Sequence, residues 1–238
     1  MSAHGQPSFW VVIPAAGVGS RMRADRPKQY LQLGGRSILE HTLDCFLDHP
    51  TLAGITVCIA TGDPYWSHLP CATDSRIQRA PGGRERCDSV LNGLRHLSEL
   101  GADDHDWVLV HDAARPNLAR EDLDRLLEAL VDDPVGGLLA VPARDTLKRV
   151  VPDGRVVETV DRSVIWQAYT PQMFRLRMLR DALEGAIAAA VPVTDEASAL
   201  EWAGHAPKVI EGRADNLKVT RPEDLEWLAQ HWGAGRSS

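Results

Sequence analysis

Two segments concentrate the residue types that can do chemistry. In the first, Pro14-Ala-Ala-Gly-Val-Gly-Ser-Arg-Met22 runs directly off a short apolar stretch and is followed by Pro27-Lys28. Gly17 and Gly19 permit a tight turn whose backbone N–H groups can close on a ligand, which makes an anion cradle. The dinucleotide fingerprint Gly-x-Gly-x-x-Gly is not met, because position 22 is Met and the acid near the ribose-binding spacing, Glu40, falls inside a predicted helix. No Gly-Lys-Ser/Thr follows, so the loop is not of the Walker type either. A ligand-free βα turn is the plainer alternative. Arg21 and Lys28, flanking the same loop, point instead to phosphate.

The second segment is His111-Asp-Ala-Ala-Arg-Pro116, at the carboxyl end of a predicted strand. Ligands of open α/β sheets gather there. Asp112 can reach a metal that a phosphate also contacts, or it caps a turn and Arg115 is a surface residue. The segment alone leaves both open. His111 reads as packed or capping, since no nucleophile is placed beside it. Later come Arg144-Asp-Thr146, Asp161-Arg162, Thr170-Pro-Gln172, Thr194-Asp-Glu196 and Asp215-Asn-Leu-Lys218. Each is weak by itself. Thr194 equally fits a helix start, and Arg162 and Lys218 are solvated by default.

These residues need elements to position them. Phe9-Trp-Val-Val-Ile13, Gly54-Ile-Thr-Val-Cys-Ile-Ala60 and Trp107-Val-Leu-Val-His111 are short apolar runs that read as buried strands. Between them, Ser37 caps a helix carrying Ile38, Leu39, Thr42, Leu43 and Phe46. Val90, Leu91, Leu94 and Leu97 mark another, ending near Gly101. Leu123, Leu126, Leu127, Leu130 and Val131 form a helical stripe. The alternation predicts an α/β fold with a largely parallel sheet covered on both faces. After Gly137-Leu-Leu-Ala-Val141 the pattern turns polar and β-prone. Asp153-Gly154 makes a turn between 147–151 and 155–160, a hairpin with little core that needs a partner surface and so predicts a dimer contact. Helical patterns return at 176–190 and 196–203. Thr220-Arg-Pro-Glu223 reads as a capping box for a last helix through His231.

Composition narrows the class further. The 238 residues are 44% hydrophobic and 25% charged, which excludes disorder and fibrous repeats. With 33 acidic against 26 basic side chains the net charge is −7, which argues against a general nucleic-acid binder. Cys45, Cys58, Cys71 and Cys87 lack zinc-site spacing and read as reduced thiols. Neither a signal peptide nor a membrane span is apparent, so a soluble, cytoplasmic protein is expected.

Read in order, the motifs Pro-Ala-Ala-Gly-x-Gly-x-Arg-Met, Pro-Lys-Gln-Tyr, Asp-Ser-Val, His-Asp-Ala-Ala-Arg-Pro, Asp-Thr, Asp-Arg, Thr-Pro-Gln, Thr-Asp-Glu-Ala-Ser-Ala and Asp-Asn-Leu-Lys-Val-Thr-Arg-Pro-Glu-Asp-Leu fall between residues 11 and 225. Related sugar nucleotidyltransferases share a Gly-x-Gly-x-Arg then Pro-Lys signature, but the full ordered set resembles the 2-C-methyl-D-erythritol 4-phosphate cytidylyltransferase family of the non-mevalonate isoprenoid pathway. The resemblance implies a Rossmann-like nucleotidyltransferase fold in a single domain, 1–238, with a protruding β-arm at about 143–168 that interlocks a homodimer. It implies CTP and a polyol phosphate as substrates, with no nucleic acid or membrane partner. Arg21 and Lys28 would be catalytic, stabilising charge in the transition state. Ala15, Ala16, Gly17, Gly19, Gly83, Ser89, Asp112 and Ala113 would bind the nucleotide. Arg115, Thr146, Arg162, Thr170, Thr194 and Lys218 would bind the methylerythritol phosphate, Thr146 from the neighbouring subunit. Asp112 would hold Mg²⁺, with Asp215 as a second metal contact. A cytidylyltransferase for another polyol phosphate, such as ribitol 5-phosphate, and a catalytically silent nucleotide-binding module are the competing readings.

Overall fold

Apolar runs bounded by proline and glycine become the strands of one sheet. The computed structural model describes residues 7–17, 22 and 25–232. In chain order the elements begin with β1 (Phe9–Pro14), a small ribbon of β2 (Gln32–Leu33) and β3 (Arg36–Ser37), α1 (Ile38–Leu47), β4 (Leu52–Ile59), β5 (Ile77–Pro81) and α2 (Arg86–Glu99). They continue with β6 (Trp107–Val110), α3 (Arg120–Leu130), β7 (Gly136–Pro142), β8 (Leu147–Val150), β9 (Val156–Val160) and β10 (Trp166–Arg175). Last come α4 (Leu176–Ala188), α5 (Glu196–Trp202), β11 (Lys208–Glu211) and α6 (Pro222–His231).

Seven strands form the sheet in the order β11-β7-β10-β6-β1-β4-β5. All neighbours are parallel except β10, which runs antiparallel to both β6 and β7. Alternate residues face opposite layers, as the pleat requires. Val11, Ile13, Trp107 and Leu109 pack with Leu43, Phe46, Leu126 and Leu130 on the α1/α3 face. Val12, Val108 and Val110 pack with Val90, Leu94, Leu179 and Leu183 on the α2/α4 face. The strands therefore read as unbroken apolar runs, and burial of both faces is the physical reason.

Local capping explains where several helices start. The Glu40 N–H donates to Ser37 Oγ at 3.2 Å, and the Ser37 N–H donates to the Glu40 carboxylate at 2.8 Å, a reciprocal box. At α6 the expected box is displaced by one residue. The Thr220 and Arg221 N–H groups both donate to the Asp224 carboxylate at 2.8 Å, so Asp224 rather than Glu223 closes the turn. Proline at the first helical position, Pro222, fixes that start.

Three strands of the seven-stranded sheet escape the sequence pattern. β5 and β11 are edge strands, in which Ile77, Ala80 and Ile210 are buried among polar neighbours. β10 is internal yet contains Pro171, which argues against a central strand. The structure accommodates it at a break in the β10–β7 pairing between Ala168 and Gln172. The same pairing shortens the arm, because Trp166–Ala168 already lie against Ala140–Pro142, so 166–168 belong to the sheet.

The arm itself is the β8–β9 hairpin. It turns at Gly154, which has φ +84°. Val150, Val156 and Val157 are 54%, 58% and 59% exposed there. All four cysteines are free thiols. Among the described residues, no helix is long and apolar enough to cross a membrane.

Candidate active site

A cavity of about 320 Å³ is lined by Ala15, Ala16, Gly17, Lys28, Gly83, Ser89, Asp112, Ala113 and Lys218. Pro14, Gln29, Arg84, Glu85, Arg86 and Ala114 complete its wall. It opens beyond the carboxyl ends of β1 and β6, where parallel strands deliver their following loops to one crevice.

The nucleotide wall is held from both sides. The Ala15 N–H donates to the Cys58 carbonyl at 2.8 Å, and Gln29 Nε2 donates to the Ala15 carbonyl at 2.6 Å. Among the described residues, no heavy atom lies within 4 Å of where a Cβ on Gly17 would sit, and Gly17 lines the cavity. Gly82 and Gly83 are required for a different reason. A Cβ would lie 2.2 Å from Ala16 Cβ at Gly82 and 2.2 Å from Asp88 Cβ at Gly83. The Gly83 N–H donates to Ser89 Oγ at 2.9 Å, and that hydroxyl donates to the Glu85 carbonyl at 3.1 Å. Ser89 thus closes the Gly83 loop onto the start of α2. Lys28 Nζ donates to the Val219 carbonyl at 2.9 Å, which brings Lys28 and Lys218 to the same wall from opposite ends of the chain.

Asp112 is the hub of the floor. Its Oδ1 accepts from Arg86 Nε at 3.2 Å, while Oδ2 accepts from Arg115 Nε at 3.2 Å and lies 2.9 Å from Lys218 Nζ. Burial opposes its charge, but the cations of Arg86, Lys218 and Arg115 hold its pKa far below the usual carboxylate range. Behind it, the Asp112 N–H donates to Thr170 Oγ1, and the Thr170 hydroxyl donates to His111 Nδ1 at 3.0 Å. This leaves Nε2–H of His111 to donate to the Arg115 carbonyl at 3.0 Å. Burial lowers the His111 pKa to about 4, so the ring is a neutral strut.

Several expected residues lie elsewhere. Arg115 and Thr170 are buried beneath the floor, Arg115 donating to the Asn216 carbonyl at 2.7 Å and packing over Tyr169. They position Asp112 and do not line the cavity. Thr194 is exposed just ahead of α5. Thr146 and Arg162 are exposed on the arm and its base, and the Arg162 guanidinium donates to the Arg144 carbonyl. Asp215, expected as a second metal contact, does not line this cavity. Its carboxylate pairs with Arg213 at 2.6 Å and faces a different cavity, with Asp44, Asn117 and Trp227. Gly19 and Arg21 lie outside the described residues.

Two participants were absent from the sequence reading. Gln29 stands in the Pro-Lys-Gln-Tyr motif and holds the Ala15 carbonyl, and Arg86 follows Gly83 on the cavity wall. Glu196, only 1% exposed, pairs with Arg86 at 2.6 Å. An acid in a first helical turn reads as solvated, so nothing local could announce that pair.

Ala15–Gly17, two lysines and an ionised carboxylate at a doubly wound sheet's crevice have the layout of a nucleotidyltransferase of Rossmann-like fold. Over residues 9–231 the chain matches the family model for 2-C-methyl-D-erythritol 4-phosphate cytidylyltransferase. The chain belongs to that family. A relative of that name from Pseudomonas entomophila (strain L48) is 72% identical over 230 residues, covering 97% of this chain and 98% of its own. Another from Pseudomonas fluorescens (strain Pf0-1) is 73% identical over 226 residues, 95% of this chain and 96% of its own. The crystal structure of the Francisella tularensis 2-C-methyl-D-erythritol 4-phosphate cytidylyltransferase superposes with a TM-score of 0.80 at 38% identity, covering 94% of this chain and 99% of that one.

Proposed function

We propose that this chain transfers the cytidylyl group of CTP to 2-C-methyl-D-erythritol 4-phosphate, giving 4-diphosphocytidyl-2-C-methyl-D-erythritol and pyrophosphate for isoprenoid precursors. The observation that carries this reading is the meeting of Lys28 and Lys218 on one cavity floored by Asp112, in a chain of this family.

A phosphate oxygen of the polyol phosphate attacks the α-phosphorus of CTP. The bond from that phosphorus to the bridging oxygen breaks, and its electrons leave with pyrophosphate. The nucleophile's second pKa is about 6, so it is already ionised at neutral pH and needs no general base. That suits a site in which His111 is a buried neutral strut and Asp112 is permanently ionised. The barrier lies in joining two polyanions and in the charge that spreads over phosphorus. Lys28 and Lys218 offer fixed positive charge for both, and Arg21 is assigned to the same task. The Ala15–Gly17 backbone orients the nucleotide, and the Gly83–Ser89 loop receives the base.

Magnesium fits the donor set in one mode. Among the described residues no three His, Cys, Asp or Glu side chains group as a protein cage. Asp112 alone would hold the ion together with triphosphate oxygens, the usual arrangement for Mg²⁺. When bound, Mg²⁺ neutralises phosphate charge.

The subunit is proposed as a single domain in a cytoplasmic homodimer joined through the arms. Exposed valines on a hairpin that contributes nothing to the core support this. Thr146 and Arg162, stranded on the arm side, would meet the polyol phosphate in the assembled dimer. Pyrophosphate release from CTP with 2-C-methyl-D-erythritol 4-phosphate and with ribitol 5-phosphate, assayed separately, tests the reading. Release with the first and background with the second is expected. The reverse pattern, or release with neither, overturns it.

A further inference from the structure

Lys218 reaches the cavity wall from a segment, 216–220, that has neither helix nor strand. Individual bonds must therefore hold it, and most of them lead to the irregular loop after β6. Asn117 Nδ2 donates to the Asp215 carbonyl at 2.9 Å, and Arg115 Nη1 donates to the Asn216 carbonyl at 2.7 Å. The Val219 N–H donates to the Ala114 carbonyl at 2.8 Å, and Lys218 Nζ stands 2.9 Å from Asp112 Oδ2. These contacts join one irregular segment to another.

The side chain of Asn216 makes a bond of a different kind. It is 1% exposed, and its Nδ2 donates to the Thr170 carbonyl on β10 at 2.8 Å. Thr170 is also the residue whose hydroxyl accepts the Asp112 N–H at 3.1 Å. One residue of the seven-stranded sheet thus serves both members of the Lys218–Asp112 pair. Its hydroxyl fixes the carboxylate, and its carbonyl fixes the segment that carries the lysine. On the other side of Lys218, Val219 is buried with Ile38 and Leu228. A chain pinned at one point can pivot about it, and pins on both sides of Lys218 remove that freedom.

We propose that Asn216 is a positioning residue, the anchor that registers the Lys218 ammonium against Asp112 by tying its segment to Thr170. It does not line the cavity and acts through Lys218. This rests on the reaction proposed above, in which Lys218 supplies fixed positive charge. A group displaced by about 1 Å can cost up to ~10²-fold in rate.

Asn216→Ala removes the Nδ2 donor and keeps the backbone carbonyl that Arg115 uses, and Asn216→Ser does the same with a polar side chain left in place. Each is expected to lower kcat/KM for pyrophosphate release by about tenfold or more in the folded protein. In a Lys218→Ala background the same change is expected to cost less than about threefold, because its route to the chemistry is gone. A second readout needs no turnover. The lysines of the chain are Lys28, Lys148, Lys208 and Lys218, so acetylation by acetic anhydride can be followed at each by peptide mass spectrometry. Lys218 is expected to react faster in both variants than in the wild type, with Lys208 on β11 unchanged. An anchor that serves stability alone lowers Tm, quickens Lys208 as much as Lys218 and leaves kcat/KM of the folded protein unchanged, and that result overturns the inference. So does a loss that persists in the Lys218→Ala background, since Asn216 would then act through Thr170 on Asp112. Failure of both variants to fold makes Asn216 a folding residue and overturns it too. An inactive wild type overturns the proposed reaction and this role together, whereas an active wild type with unaffected variants overturns the inference alone.

Discussion

Lys28, Gly17 and Gly83, which line one cavity, separate chemistry from folding. Lys28→Ala is expected to lower turnover by about 10²–10³-fold, the usual cost of a preorganised donor to transition-state charge, with thermal unfolding little changed. Near-wild-type turnover would remove Lys28 from the mechanism. At Gly17 a methyl group would meet no atom of the described residues within 4 Å and would stand on the cavity lining, so Gly17→Ala is expected to weaken CTP binding without lowering Tm. At Gly83 the same methyl lies 2.2 Å from Asp88 Cβ and 2.9 Å from the Asp88 backbone, so Gly83→Ala is expected to cost about 1–3 kcal/mol of stability. Thermal melts of both variants with and without CTP check the contrast. At this scale Gly17 and Lys28, which line the cavity, were legible because a basic residue flanking a Gly-rich turn after a strand favours an anion over a plain turn. Arg86 and Glu196 were not, since their pairing joins residues 110 positions apart.

At the scale of elements, the His111–Thr170 relay binds the end of β6 to β10 beneath the active floor. Its ring is neutral in the fold down to about pH 4, because burial disfavours the imidazolium. In the unfolded chain it protonates near 6.5. Between those values the unfolded state binds the extra proton, so stability is full above pH 6.5 and falls as the pH drops toward 4. The interval corresponds to about 3 kcal/mol. Asp112, held below the usual carboxylate range, keeps its charge throughout. Urea unfolding at pH 7 and pH 4.5 is expected to show a smaller acid-dependent loss for His111→Asn than for the wild type, and an equal loss would contradict the buried neutral ring. The core strands and helices were readable here because each buries a continuous run or a stripe. β5 and β11 were not, because an edge strand buries only one or two residues among polar neighbours. Pro171 hid β10, since the pairing break that tolerates it is a tertiary feature.

For the whole molecule, the net charge of −7 says little about the site, where cations gather on a single cavity wall. The arm was legible as a hairpin without a core, and its exposed valines agree with that reading. In the proposed dimer a second chain would supply the arm's partner surface and the setting of Thr146 and Arg162, which are exposed on this subunit. Val157→Asp puts a charge on that surface without touching the subunit core. It is expected to shift the protein from dimer to monomer in light scattering, with the subunit's Tm preserved and turnover reduced. A wild-type monomer would contradict the arm's role.

The central claim is that a phosphate oxygen of the second substrate attacks the α-phosphorus of CTP. The most direct measurement uses 2-C-methyl-D-erythritol 4-phosphate labelled with ¹⁸O in its phosphate, incubated with CTP and the enzyme, with products resolved by mass spectrometry. All of the label is expected in the cytidylylated polyol diphosphate and none in pyrophosphate. Label in the released pyrophosphate, or release of CMP in place of pyrophosphate, would contradict it.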